Sequence, residues 1–217
     1  MTPSKKKING FEELIKKIQE LKKGEVRILV DSRIKEFMEY KTKSNKELFK
    51  ELCFCITTAN CAADKCIKIQ KEIGNGFATL PEKELAARLK GAGYRFHNRS
   101  VYLVEARKHR DALKSLLYSY SDVRQLRDFL VKNVKGLGYK EASHFLRNIG
   151  YQDLAIIDFH IVDLLAEHGI IEKPKTVTKK KYLEMEEILR DLGERTGLSL
   201  AELDLYLWYL ETGKVLK

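Results

Sequence analysis

Apolar residues recur along this chain at intervals of three and four, and no stretch of useful length alternates with period two. That periodicity predicts helices without strands, an all-α protein. Phe11, Leu14, Ile15, Ile18 and Leu21 mark a first helix, and Ile28, Leu29, Ile34, Phe37 and Met38 a second from Glu25 to about Tyr40, followed by a basic link from Lys41 to Lys43. Leu48 to Thr58 is apolar on nearly every side, which predicts a helix buried all round. Ser44 to Glu47, Thr79 to Glu82 and Ser199 to Glu202 each read as a capping box opening a helix. Ala62 to Ile73 is helical and ends at Gly74-Asn75-Gly76, a short helix runs to Lys90, and another spans Asn98 to Arg110. Val123, Leu126, Leu130 and Val134 lead into a turn at Lys135-Gly136-Leu137-Gly138, and Ala142, Phe145, Leu146 and Ile149 lead out of it. Further helices are predicted from Asp158 to Glu167, Tyr182 to Leu192 and Ser199 through Leu210, with a basic loop from Glu172 to Lys181.

The chain has 217 residues, 44% of them apolar, enough for one large domain or two small ones. With three prolines and no Gly/Ser tract, little disorder is expected. No apolar run has the length of a membrane span, and the basic start lacks the apolar core of a secretory signal, so a cytoplasmic protein is expected. The net charge of +10 suits a polyanionic partner, nucleic acid above all. Cys53, Cys55, Cys61 and Cys66 lie in one apolar stretch without a CxxC pair, which favours reduced buried thiols over a zinc site.

Gly136 and Gly138 flank Leu137, so the turn can adopt positive φ and approach another backbone closely. The helix after it presents its first amides and positive dipole end, a ready phosphate site, while Leu137 can anchor the turn between the helices. Lys140 lies just inside that helix. Asp158 follows Ile156-Ile157 and begins another, where it can also serve as an N-cap. An amine nucleophile needs a neutral nitrogen, and a carboxylate partner can assist its proton transfers.

Lys135-Gly136-Leu137-Gly138-Tyr139-Lys140 followed by Ile157-Asp158-Phe159-His160 resembles the helix-hairpin-helix DNA glycosylase superfamily. Glu141 to Asn148 and the ending from Leu203 to Lys217 narrow the resemblance to the type 2 8-oxoguanine DNA glycosylase/lyases, over nearly the whole chain. The resemblance implies two helical subdomains with the active site in a cleft between them. Residues 44–153 would form one, carrying the hairpin at about 123–149, and residues 1–43 with 154–217 the other, so that Lys140 and Asp158 face each other across the cleft. It implies a monomer that binds duplex DNA containing 8-oxoguanine. Lys140 would attack C1′, expel the base and form a Schiff base, after which β-elimination nicks the strand 3′ to the lesion. Asp158 would stabilise charge on the sugar and assist proton transfer.

By the same resemblance His160 contacts phosphate, unless it is a surface or core histidine. Asn60 fills the gap left by the flipped base, unless it caps a helix. Tyr94 and Arg95 attend the orphaned partner base as wedge and hydrogen-bond donor, with Arg95 and Arg99 alternatively on phosphates. Trp208 stacks on the flipped base, and Lys217 reaches it through its side chain or terminal carboxylate, which could accept from the N7–H that distinguishes 8-oxoguanine from guanine. No cysteine follows Cys66, so the C-terminal iron–sulfur cluster of some superfamily members is excluded, and no cofactor is required. The hairpin carbonyls have the chemistry for a monovalent cation. The competing readings are a glycosylase for another damaged base and a non-catalytic module that binds DNA backbone.

Overall fold

The computed structural model describes residues 5–217, with side chains from Asn9 onward. In chain order its α-helices are α1 (Lys5–Leu21), α2 (Glu25–Glu39), α3 (Asn45–Thr58), α4 (Ala63–Ile73), α5 (Gly76–Thr79), α6 (Glu82–Gly91), α7 (Ser100–Ala106), α8 (Leu113–Tyr118), α9 (Val123–Asn133), α10 (Tyr139–Asn148), α11 (Phe159–Glu167), α12 (Lys179–Thr196) and α13 (Leu200–Thr212). The described residues contain no strand. They fall into two compact units, Phe37–Gly150 and Met1–Glu36 with Tyr151–Lys217.

The first unit is built around α3. The Ser44 hydroxyl accepts from the Glu47 amide at 3.4 Å and the Glu47 carboxylate accepts from the Ser44 amide at 3.0 Å, so both halves of the capping box form. From Leu48 to Thr58 every residue but Lys50 is buried. Helices α4, α5, α7, α8 and α10 cover it, and each large apolar side chain so enclosed contributes roughly 1.5–3 kcal/mol. Glu51 is buried among them because its carboxylate has donors: Asn148 Nδ2 at 2.6 Å and Gln70 Nε2 at 3.1 Å.

The boundary lies at Phe37 rather than Ser44, and at Gly150 rather than Asp153. The last turn of α2 explains the shift. Phe37 is buried, its ring lies under the Arg147 guanidinium at 4.6 Å, and a Cβ on Gly150 would come within 3.1 Å of the Phe37 carbonyl. The Lys41–Lys43 link is mostly a single 3-10 turn, Tyr40–Thr42.

Other expectations are also corrected. Thr79 forms no capping box: its hydroxyl donates to the Asn75 carbonyl at 3.3 Å, because Gly76–Thr79 is itself a short helix, and Pro81 precedes α6 without a capping side chain. The helix expected over Asn98–Arg110 is a 3-10 turn, the seven-residue α7 and a second 3-10 segment. Ile28 and Leu29 are 69% and 52% exposed, and α2 buries Val26 and Val30 along with the expected Phe37.

The second unit groups α1, α11, α12 and α13. A Cβ on Gly10 would lie 1.7 Å from the His168 carbonyl, so α1 passes the end of α11 with no room for a side chain. The extended stretch before α11 is held by α12. The Tyr182 hydroxyl donates to the Ala155 carbonyl at 2.7 Å and accepts from the Ile157 amide at 3.3 Å, and Glu186 accepts from the Ala155 amide at 3.1 Å. These bonds satisfy buried backbone that has no ladder of its own, and they deliver the chain to Asp158 in a defined orientation.

Candidate functional site

The hairpin grows out of α9, whose first turn is capped by Asp122 accepting from the Arg124 amide at 2.8 Å. Its two glycines serve different ends. Gly136 has φ +88°, and a Cβ there would come within 3.0 Å of Tyr102 Cδ2 and 3.2 Å of Ile56 Cγ2. Gly138 has φ −88° and ψ −173°, open to any residue, and is glycine at the N-cap of α10. No side chain caps the first-turn amides there, while the Glu141 carboxylate reaches back to accept from the Gly138 amide at 3.1 Å. Leu137 is buried and anchors the turn. The result is a helix start with its positive pole unscreened by a cap oxygen, suited to an oxyanion.

Lys140 is the second residue of α10. Its side chain is 23% exposed, and Glu141 Oε1 lies 3.9 Å from its Nζ. Burial and a hydrogen bond to Cys61 push the Cys66 thiol up, and the charge of Lys140 opposes them. On the hairpin itself Lys135 pairs with Glu105 at 2.9 Å, which raises the lysine and holds the Glu105 carboxyl below its usual range.

Asn60, expected as a gap filler or a cap, is exposed at the end of α3 with φ +56°. It is the one non-glycine residue at positive φ among the described residues, a conformation asparagine tolerates better than most. Arg95 is exposed, with its guanidinium 5.4 Å from the Phe96 ring. Tyr94 does not stand out as a wedge. It is 1% exposed, and its hydroxyl donates to the Thr57 carbonyl at 2.9 Å. Arg99 is half-buried. Its Nη1 donates to the Ile56 and Ala59 carbonyls at 3.2 and 2.7 Å and to Tyr94 Oη at 3.2 Å. Both side chains satisfy the carbonyls that α3 leaves open at its C-terminus, a demand that outweighs exposure.

In the second unit Asp158 caps α11, with Oδ1 accepting from the Ile161 amide at 3.1 Å. No cation pairs with it among the described residues. His160 is half-buried. Its ring lies 3.9 Å from Phe159 at a 35° tilt and meets Trp208 edge-on at 4.8 Å and 85°. Trp208 is half-buried on α13, and its indole N–H is buried without a hydrogen-bond partner among the described residues. Lys217 is half-buried beyond α13, which ends at Gly213 with φ +69°. The structure thus joins His160 to Trp208. Sequence reasoning passed over Phe159, which is 69% exposed. Its signal was available: it lies off the stripe formed by Ile161, Val162 and Leu165, so it has no core to enter.

Comparison with known proteins places this geometry among relatives. The profile of a family described as 8-oxoguanine DNA glycosylase, of the Ogg-HhH type, matches residues 30–198. An 8-oxoguanine DNA glycosylase/AP lyase of Methanocaldococcus jannaschii is 57% identical over 206 residues, covering 94% of this chain and 99% of that protein. One of Korarchaeum cryptofilum is 50% identical over 210 residues, 96% of this chain and all of that protein (100%). The crystal structure of the M. jannaschii 8-oxoguanine glycosylase/lyase in complex with a 15mer DNA containing 8-oxoguanine superimposes with a TM-score of 0.92 at 56% identity, covering 94% of this chain and 100% of that one.

Proposed function

The chain belongs to the 8-oxoguanine DNA glycosylase family, and from that membership we propose that it removes 8-oxoguanine from duplex DNA and cleaves the strand at the site it leaves. It is a DNA glycosylase and AP lyase of base-excision repair, working where the chromosome lies, the prokaryotic cytoplasm. One observation carries the residue-level reading. Lys140 sits in the first turn of a helix whose N-cap is a glycine, so an amine and an open phosphate site share one turn.

In the chemistry we assign, the neutral Lys140 Nζ attacks C1′ of the damaged nucleotide. The N-glycosidic bond breaks, its electron pair leaves with the base, and the base takes up a proton. The attached amine passes a proton to the ring oxygen as the C1′–O4′ bond breaks, that bond's electron pair leaves with the oxygen as a hydroxyl, and the new C–N bond becomes an iminium. Loss of a proton from C2′ then expels the 3′ phosphate by β-elimination. Asp158 stabilises positive charge on the sugar and passes protons to and from the amine, while its Oδ1 keeps the helix capped. Gly136, Leu137 and Gly138 hold phosphate through backbone, which positions the strand without reading its sequence. His160, Asn60 and Arg95 are assigned to the DNA as well. Trp208 and Lys217 are assigned to the flipped base, and the orphan indole N–H of Trp208 supports that choice. No step requires a cofactor; a monovalent cation on the hairpin carbonyls would act on binding alone.

Borohydride trapping on a duplex with one 8-oxoguanine tests this. Wild type should give a covalent adduct and Lys140→Gln none. Tight binding with no adduct from either protein would remove the lyase mechanism. Deleting Lys217 without any change in 8-oxoguanine excision would remove that residue from the base site.

A further inference from the structure

Nine phenylalanines occur in the chain, and among the described residues Phe159 is the one that is exposed. Its place makes the exposure costly and specific. It is the first residue of α11, directly after Asp158. The helix buries Ile161, Val162, Leu164 and Leu165, so Phe159 gains nothing from the core, and phenylalanine is a poorer helix former than alanine. The ring is nevertheless not loose. It is stacked on His160 at 3.9 Å and 35°, and His160 is wedged edge-on against Trp208 at 4.8 Å and 85°. The half-buried His160, itself met by Trp208 of α13, therefore lies against the Phe159 ring, and the 69% exposure belongs to the rest of that ring. A pre-oriented, exposed aromatic face suits a flat apolar partner whose area it can cover at little entropic cost.

Resting on the reading above, we propose that Phe159 is a positioning residue. Its outer face stacks on a nucleobase of the lesion strand left unstacked when its neighbour is extruded, and so holds the damaged nucleotide in register with Asp158. Stacking on a base needs no hydrogen-bond code, because every base has a π face. That fits a position that must accept any neighbour of the lesion. The ring continues an aromatic series, base to Phe159 to His160, whose inner end is fixed by Trp208.

The test measures equilibrium binding of a duplex carrying one 8-oxoguanine to Lys140→Gln protein, alone and combined with Phe159→Ala, Phe159→Leu or Phe159→Tyr. Single-turnover excision by the corresponding Lys140 proteins runs alongside. Alanine and leucine should each weaken binding by roughly ten- to a hundredfold, tyrosine by less than about threefold. At saturating enzyme the alanine variant should excise within about tenfold of wild type, so that the loss sits in half-saturation rather than rate. Melting temperature should not move, since the side chain is outside the core. Alanine binding like wild type overturns the proposal, as does leucine restoring binding as well as tyrosine, which would make Phe159 plain apolar cover. Should alanine fail to fold, the leucine–tyrosine difference decides. If wild type itself excises nothing, the parent reading falls and this proposal with it; if wild type excises and Phe159→Ala matches it, this proposal alone falls.

Discussion

Two helices of this protein begin at residues assigned to the chemistry, and they begin in opposite ways. Helix α10 starts at Gly138, with no side chain to close its first turn, and carries Lys140 in its second position. Helix α11 starts at Asp158, whose carboxylate takes the Ile161 amide at 3.1 Å. The first start leaves its positive pole to a ligand; the second neutralises its own. The difference teaches how one kind of local structure serves two tasks. An open N-terminus suits an anion from outside the protein, with an amine in the same turn. A capped one holds its carboxylate in a fixed orientation, as the role proposed for Asp158 requires. The contrast also separates cost from use. The glycine start forgoes only a few tenths of a kcal/mol relative to a capping side chain, whereas the carboxylate of Asp158 stabilises its helix and is the same group proposed for the chemistry.

The largest expected effect breaks the α10 side outright. Lys140→Gln should abolish the borohydride-trapped adduct and slow base release by more than the roughly 10²–10⁴-fold of a lost proton-transfer group, measured in single-turnover gels. On the α11 side, Asp158→Asn should lower excision by roughly 10²–10⁴-fold yet melt close to wild type, because asparagine caps helices as well as aspartate. Asp158→Ala should lose the cap too, a further cost of about 1 kcal/mol visible in denaturant unfolding. Equal stability of the asparagine and alanine variants would show that the cap contributes nothing.

Smaller effects sharpen the contrast between the two hairpin glycines. Gly136→Ala forces a side chain into positive φ and against Tyr102 and Ile56, and should destabilise by roughly 1–3 kcal/mol. Gly138→Ala meets only the Glu141 carboxylate, at 3.0 Å and on a movable side chain, and should cost less than about 1 kcal/mol. The smallest concerns Lys135, now paired with Glu105 at 2.9 Å. Glu105→Gln should release it to the phosphates, tightening DNA binding by about twofold and steepening the salt dependence by less than about one ion.

The helical class, the glycine hairpin and the helix starts that carry Lys140 and Asp158 were legible before any coordinates, because they depend on short-range signals; the roles proposed for those two residues came from the family resemblance. Period, glycine spacing and Asp at a helix start are local. So were the capping boxes at Ser44 and Ser199, each read from a serine and a glutamate three residues on. The third, at Thr79, failed because a competing short helix claimed the same residues. The packing of Tyr94 and Arg99 was not legible for a related reason. Nothing local says that α3 ends with its carbonyls uncovered, or that these two side chains reach them from about forty residues away, as the 37- and 40-residue separations of those bonds record.

The sequence by itself determined where most of the longer helices lie and start, and which residues stand at the starts of α10 and α11, since each is set within about one helical turn. Only the tertiary structure decided that Gly136 and not Gly138 needs its glycine φ, that α2 turns Ile28 and Leu29 to solvent, and that Phe159 rests on His160 with its outer face open. Each of those depends on which surface of a helix finds a partner. That is fixed by close contacts between residues distant in the chain, which no periodicity along it encodes.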